Sequence, residues 1–289
     1  MDNRAEIREF LTSRRARLTP QQAGLPAYGG RRRVTGLRRE EVALLAGVSI
    51  DYYVRLERGN LSGASESVLH SLAEALQLDE AEREHLQALA RNSTHSTARS
   101  RTTAPTGVAR SVQQVLDAIG DAPAWVRNGR HDMLAMNALA RVLYAPMLTH
   151  TDRPNTARFL YLDPASQEFF VDWERSATDV AALLRAEAGR NPHDKKLIEL
   201  IGELSTRSEV FRTRWAAHNV KFHRTGQKRI HHPAVGRLDL DFEAMELPSH
   251  PGLTMFVYTA AVGTPTADSL RILGSLAAAQ PVTRVDPVG

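Results

Sequence analysis

The sequence contains no cysteine among its 289 residues. Disulfides and cysteine-bound zinc are thereby excluded, and the composition fits a reducing compartment. Aromatic residues are scarce, at 6%. No apolar run approaches the roughly 18 residues that a membrane helix needs. The first stretch, MDNRAEIREFLTSRR, is charged throughout. We therefore expect no signal peptide, no membrane partner and a cytoplasmic protein. Catalytic glycine patterns are missing as well: there is no dinucleotide fingerprint, Walker loop or nucleophile elbow. The chain reads as non-enzymatic. Net charge is a modest +4, so any nucleic-acid signal must lie in how charge is distributed.

The length suggests about two domains. Residues 1–92 have the pattern of short helices. Residues 93–109 form a Ser/Thr/Arg-rich stretch with Pro105 and Gly107 and no apolar period, which marks a linker. Residues 110–280 then mix helical periods with alternating stretches, an α+β pattern, and 281–289 form a tail. Helical spacing is expected at Ser111–Ile119, Asn137–Tyr144, Thr156–Leu162, Ser176–Ala188 and Asp194–Ala217. Strands are expected in Ala124–Met136, folded as a hairpin at Asn128-Gly129, and in Val220–Arg224, Ile230–His232, Leu238–Leu247 and Leu253–Ala260. Leu238, Leu240 and Phe242 share one face while Asp239, Asp241 and Glu243 share the other, the period of a half-buried antiparallel strand.

The most informative segment is Leu37–Gly59, LRREEVALLAGVSIDYYVRLERG. Two helices that cross closely need a small residue in the first, and Ala43 supplies it. The turn needs a residue that tolerates positive φ, and Gly47 follows four residues later. Val48 can plug the gap between the helices. Ser49 suits the N-cap of the second helix. Tyr53 and Leu56 are spaced to face inward. All five requirements of a helix-turn-helix are met in register.

This motif resembles the lambda-repressor-like, or XRE, domains, over roughly residues 3–90. Helix 1 is then expected at Arg4–Leu18, and helices 4 and 5 at Ser65–Leu76 and Asp79–Ala90. One departure is the long loop Thr19–Gly36 between helices 1 and 2. The resemblance implies a recognition helix in the major groove of double-stranded DNA. Ile50, Asp51 and Arg55 would face base edges, and Tyr52 either bases or phosphates. Arg39, Ser49 and Arg58 would meet phosphates, with Arg38 and the loop arginines Arg31, Arg32 and Arg33 beside them. Charge polarity agrees: residues 1–58 hold 12 arginines against 7 acids, whereas 59–95 hold 2 against 6. The partner expected is an operator with inverted repeats, bound by a homodimer.

The second half resembles the ligand-binding domain of MmyB-like regulators. The resemblance is carried by WVRNGRHDMLAMNALARVLY (125–144), ARFLYLDP (157–164), DWERSATDVAALLRAEAGRNP (172–192), FRTRWAAHNV (211–220), HHPAVGRLDLDFEAM (231–245) and LTMFVYTA (253–260). It implies a PAS-like antiparallel sheet with helices over one face. It also implies a pocket for a hydrophobic small molecule such as a fatty acid, with no other cofactor. Rings are concentrated here, and Trp125, Phe159, Tyr161, Phe170 and Trp173 are the candidate lining. Arg214 and His218, four apart with Trp215 beside them, are candidates to hold a carboxylate. His218, His223, His231 and His232 cluster in sequence, but the spacing fits no ligand motif. His231 and His232 would point to opposite faces of a strand, so no metal site is expected. The expected fold is thus an all-α five-helix domain followed by an α+β domain.

Overall fold

Short polar residues start the N-terminal helices. Asp2 accepts from the Arg4 amide at 3.0 Å, Ser49 from Tyr52 at 3.2 Å and Ser65 from Val68 at 3.3 Å. Each satisfies an amide that the helix itself leaves unpaired. The computed structural model describes residues 2–26, 34–94, 107–149, 154–221 and 224–279. Arg31, Arg32, Arg33, Phe222, His223, most of the expected linker and the tail lie outside the described residues.

Two compact units divide the chain: residues 1–102 with 181–222, and residues 103–180 with 223–289. The first opens with α1 (Asn3–Arg17), α2 (Arg39–Leu45), α3 (Ile50–Glu57), α4 (Glu66–Ala75) and α5 (Glu80–Thr94). These are the five expected helices. Ile7, Phe10 and Leu11 of α1 are fully buried with Val42, Tyr53, Leu56, Leu72 and Leu89 in one apolar core.

The second unit begins with α6 (Arg110–Ala118), β1 (Ala124–Asn128), β2 (Met133–Met136), α7 (Ala138–Leu143), α8 (Ala145–Leu148), α9 (Thr156–Leu162) and α10 (Ala165–Phe169). The long helix α11 (Trp173–Arg190) contains the unit boundary, at Ala181. Then come α12 (Lys195–Arg207) and α13 (Glu209–Ala216) of the first unit. The chain ends with β3 (Thr225–His232), β4 (Gly236–Glu246), β5 (Leu253–Thr259) and α14 (Pro265–Ala279) of the second.

The sequence boundary at 93–109 placed all of 110–280 in one domain, and the structure divides that stretch differently. Residues 181–222 belong with the first five helices because Ala186 and Val220 enter their core and Arg185 is buried against Glu6. The expected helix 194–217 is two helices. Ser208 stops the first and caps the second, its hydroxyl accepting from the Phe211 amide at 3.2 Å.

In the second unit the sheet is antiparallel throughout, in the order β2-β1-β5-β4-β3. Trp125 lies opposite Phe256, and Phe242 opposite Tyr258, so these rings share one face. The other face is covered too. Val112 and Leu116 of α6 pack on Ala124, Val126, Ala135, Leu253 and Met255. Helices over one face alone was the expectation; α6 supplies the difference.

The β1–β2 connection is not a two-residue Asn-Gly turn. It takes four residues, with His131 at φ +67, and the buried Asn128 carboxamide oxygen accepts from the amides of Arg130 at 3.0 Å and Asp132 at 3.1 Å. A side chain here does the work of a backbone turn. Val220 is not in a strand but in the first unit's core.

Candidate functional site

The turn between α2 and α3 has the geometry its sequence asks for. Ala43 is 1% exposed at the helix crossing, Gly47 has φ +64, and the Val48 amide donates to the Ala43 carbonyl at 3.0 Å. Gly59, just past α3, serves a close approach: a Cβ there would lie 2.3 Å from the Arg4 carbonyl oxygen, at φ +94. The far end of α3 is thereby seated on the start of α1.

The outward row of α3 is open. Ile50 is 52% exposed. Asp51, Arg55 and Arg58 are exposed and Tyr52 is half-buried. The Arg55 guanidinium lies over the Tyr52 ring at 4.7 Å, which limits its rotamers before any partner arrives. A cleft of about 470 Å³ is lined by Arg4, Asp51, Val54, Arg55, Arg58 and Asn60. Arg4 was not singled out from the sequence; it reaches this surface because α1 starts beside the end of α3.

Glu57 was also missed. It is 1% exposed, yet it holds Arg15 at 2.6 Å, the Arg39 guanidinium and the Tyr53 hydroxyl at 3.3 Å. Burial, and then the Glu57 charge, push the Tyr53 phenol well above its ordinary value. A buried carboxylate needs such partners. Arg39 stays 53% exposed in its side chain, so Glu57 fixes a cation at the surface by α2. Arg38 pairs instead with Glu40 at 3.2 Å, which half-neutralises what it presents.

A second buried charge sits behind this surface, within the same unit. Glu6 of α1 contacts Arg185 of α11 and lies 3.7 Å from both His85 and His218. Burial alone would raise the Glu6 carboxyl, but His218, His85 and Arg185 outweigh it and hold it well below the carboxylate range. Burial lowers His85, against a smaller opposing pull from Glu6. Glu6, Glu9 and His218 each offer an atom within 4.8 Å of the others. With Arg185 already on Glu6, the cluster is an ion-pair network.

Both pKa shifts are downward, so the unfolded chain takes up these protons more readily than the folded unit. Stability from His85 is full above about 6.5 and falls as pH drops through that range; stability from Glu6 is full above 4.5 and falls below it. We expect a melting temperature that declines from pH 7 to pH 5, and less steeply in His85→Gln. Equal slopes in the two proteins would contradict the His85 assignment.

Arg214, Trp215 and His218 belong to this unit, and the five-stranded sheet to the second. The Arg185 guanidinium lies 4.0 Å over the Trp215 ring and donates to the Trp215 carbonyl. The α13 helix ends before His218, whose φ is +52; its carbonyl accepts from Arg14. The shared helix face expected for Arg214 and His218 therefore does not continue through both residues.

Among the candidate lining residues, Trp125 stacks on Phe256 at 4.6 Å. Phe159 meets Phe169 and Phe170 edge-on at 5.7 and 6.0 Å, and Lys228 lies 4.5 Å over Phe170. Tyr161 donates to the Ala177 carbonyl. Trp173 clips α9 and α10 to α11: its indole N–H donates at 3.0 Å to both the Leu160 carbonyl and the Ser166 hydroxyl. His232 is buried, its Nε2 3.1 Å from the Val142 carbonyl, while its neighbour His231 is exposed.

Residues 6–86 match the family model of a helix-turn-helix domain, the segment that carries α3 and its arginines. Residues 108–273 match the model of the MmyB-like transcription regulator ligand binding domain. No curated protein matches the chain. No helix among the described residues is long and apolar enough to cross a membrane. The second match spans more than half of the 289 residues, and with a DNA-reading helix already in place ahead of it, the chain belongs to the MmyB-like transcription regulators, pairing a helix-turn-helix domain with a ligand-binding domain.

Proposed function

We propose that this protein is a one-component transcription factor, without enzymatic activity, whose affinity for its operator is set by a hydrophobic small molecule such as a fatty acid. The observation that carries the DNA-reading half is the open row of Ile50, Asp51 and Arg55 on a helix seated by Gly47 and Gly59. In the major groove Arg55 can pair bidentately with a guanine, Asp51 can accept from a cytosine amino group, and Ile50 can touch a thymine methyl. The protein acts as a cytoplasmic homodimer on an inverted repeat, and the ligand works by binding one arrangement of the two recognition helices better than another.

Two substitutions separate the roles. Arg55→Ala relaxes the preference at one base position by about 1–3 kcal/mol, read by competition among single-base operator variants. A uniform loss across all variants would move Arg55 to the phosphates. Arg39→Ala weakens binding to every sequence and lowers the salt slope by about one. A slope equal to the parent's would remove Arg39 from the phosphate contacts.

A second reading keeps DNA binding and makes the sensor unit a dimerisation or protein-interaction module without a ligand. The ring-on-ring packing of Trp125, Phe256, Tyr144 and Phe169 favours it, since rings that fill a core leave it a structural one. Mass spectrometry of the purified protein, native and then denatured, separates the two. A small-molecule mass released on denaturation supports the sensor; a bare chain that also takes up no added apolar ligand supports the module.

A further inference from the structure

The cleft beside the recognition helix continues past the end of α3. Arg4 and Asn60, which line it, also line a second cleft of about 570 Å³ with Ser62, Asn92, Ser93 and His193 among its walls. All of these residues belong to the first unit. Four parts of the chain meet there: the start of α1, the α3–α4 loop, the end of α5 and the α11–α12 loop. The last of them lies in the stretch that matches the ligand-binding domain.

The walls of this cleft are tied to one another. The Asn92 carboxamide donates to the Gly189 carbonyl at 2.7 Å, and the Asn3 carboxamide donates to the Ser93 hydroxyl at 2.9 Å. The end of α11 comes so near α5 that a Cβ on Gly189 would lie 2.4 Å from the His85 ring. The α11–α12 loop is therefore seated on the DNA-reading helices and is not a free excursion.

The cleft offers donors. Arg4 and His193 are exposed, and Asn60 and Ser62 reach the surface beside them. None of these four side chains makes a hydrogen bond or ion pair among the described residues. The acid in the lining, Asp2, already accepts from the Arg4 amide at 3.0 Å as the cap of α1. Behind His193 the segment 190–196, RNPHDKK, sets Arg190, Lys195 and Lys196 against Asp194. Asp194 is engaged as the cap of α12, by the amides of Lys196 at 3.0 Å and Leu197 at 3.2 Å. Guanidinium, carboxamide, hydroxyl and imidazole donors in a positive field are the groups that hold phosphate oxygens.

We propose that this second cleft holds a phosphate of the DNA backbone, so that His193, from the ligand-binding stretch, joins Arg4, Asn60 and Ser62 in the DNA interface. The inference rests on the DNA-reading role of α3 proposed above. A duplex whose bases meet Arg55 carries a backbone strand past the flank of α3, and Arg4 and Asn60 connect the two clefts on that flank. A contact of this kind fixes the register of the protein on the duplex and adds no base preference.

The chain has no cysteine, so His193→Cys gives the full-length protein a single attachment point for an iron–EDTA label. The side chain at 193 is exposed, and the substitution leaves the core untouched. On an operator selected from random double-stranded DNA, the labelled protein is expected to cut the backbone in a narrow cluster beside the base pairs read by α3. Gln87→Cys, exposed on α5 outside the cleft, is the control and is expected to give no such cluster. Arg4→Ala is expected to lower the salt slope of binding by about one and to weaken all single-base operator variants alike. A bound operator that is cut no better from position 193 than from position 87 would overturn the proposal. So would an Arg4→Ala protein with the parent's salt slope. In both cases the complex has still formed, so the role of α3 stands and the cleft is left to a free anion or to no ligand. A parent protein that binds no double-stranded DNA would remove the α3 reading and this extension together.

Discussion

Arg185→Met is expected to lower the stability of the DNA-binding unit by about 3–5 kcal/mol, because it leaves a carboxylate buried without its cation. The methionine keeps most of the volume, so packing is not the cause. Arg185 is 2% exposed and Glu6 7%, which leaves little room for water to replace the lost partner. The loss should be largely recovered in the Glu6→Gln/Arg185→Met pair, where neither charge remains. Trp215 reports on this unit, and replacing Trp125 and Trp173 by Phe isolates its signal in a urea titration. A loss below about 1 kcal/mol, or no recovery in the pair, would show that the contact between α1 and α11 is incidental. A real loss has a functional reading as well, since a stretch matched to the ligand-binding domain is then part of the support for the recognition helix.

Glu57→Gln is the second large effect, at about 2–3 kcal/mol of stability. It is smaller than the first because Arg39 is half exposed and can hydrate when released. Its signature is a split between affinity and specificity. Arg39 loses its fixed position, so binding to every operator variant weakens and the salt slope falls. The base preferences proposed for Arg55 are expected to stay as they were. Altered preferences without a change in stability would mean that Glu57 positions α3 itself, not Arg39.

The parts of this fold that were legible in sequence are those held by neighbours in the chain. Ala43, Gly47, Val48 and Ser49 lie within seven residues, and each is dictated by the geometry of one turn. The β4 alternation of Leu238, Leu240 and Phe242 is local in the same sense, and the structure buries those three residues. Ser208 was a cap in plain sight, but the apolar period runs across it from α12 into α13, and periodicity alone joins the two helices. The same blindness hid α14, where Thr264 caps at the Ala267 amide and Pro265 opens the helix ahead of the buried Leu270 and Leu273.

What could not be read depends on long range. Arg185 and Glu6 are 179 residues apart, and Glu57 and Arg15 are 42 apart. No local pattern distinguishes those side chains from solvated ones. Arg214 and His218 looked like an anchoring pair because four residues is a helical spacing; that the helix stops short of His218 depends on tertiary contacts. Trp173 looked like pocket lining because it is large and apolar, and what marks it as a clip is a carbonyl 13 residues earlier in the chain. For Trp125, Tyr144 and Tyr258 the residue types were visible, but their convergence depends on how the sheet pairs and where α7 ends.

In the function proposed above, a ligand in one domain sets DNA affinity in the other. Fluorescence anisotropy on an operator selected by the full chain from random double-stranded DNA tests it directly, comparing lipid-stripped protein with the same protein saturated by dodecanoate. Kd is expected to change by about 5- to 150-fold at fixed salt, the size of an ordinary coupling free energy. An unchanged Kd, with dodecanoate bound, would contradict it and leave a DNA-binding protein whose second domain serves assembly alone.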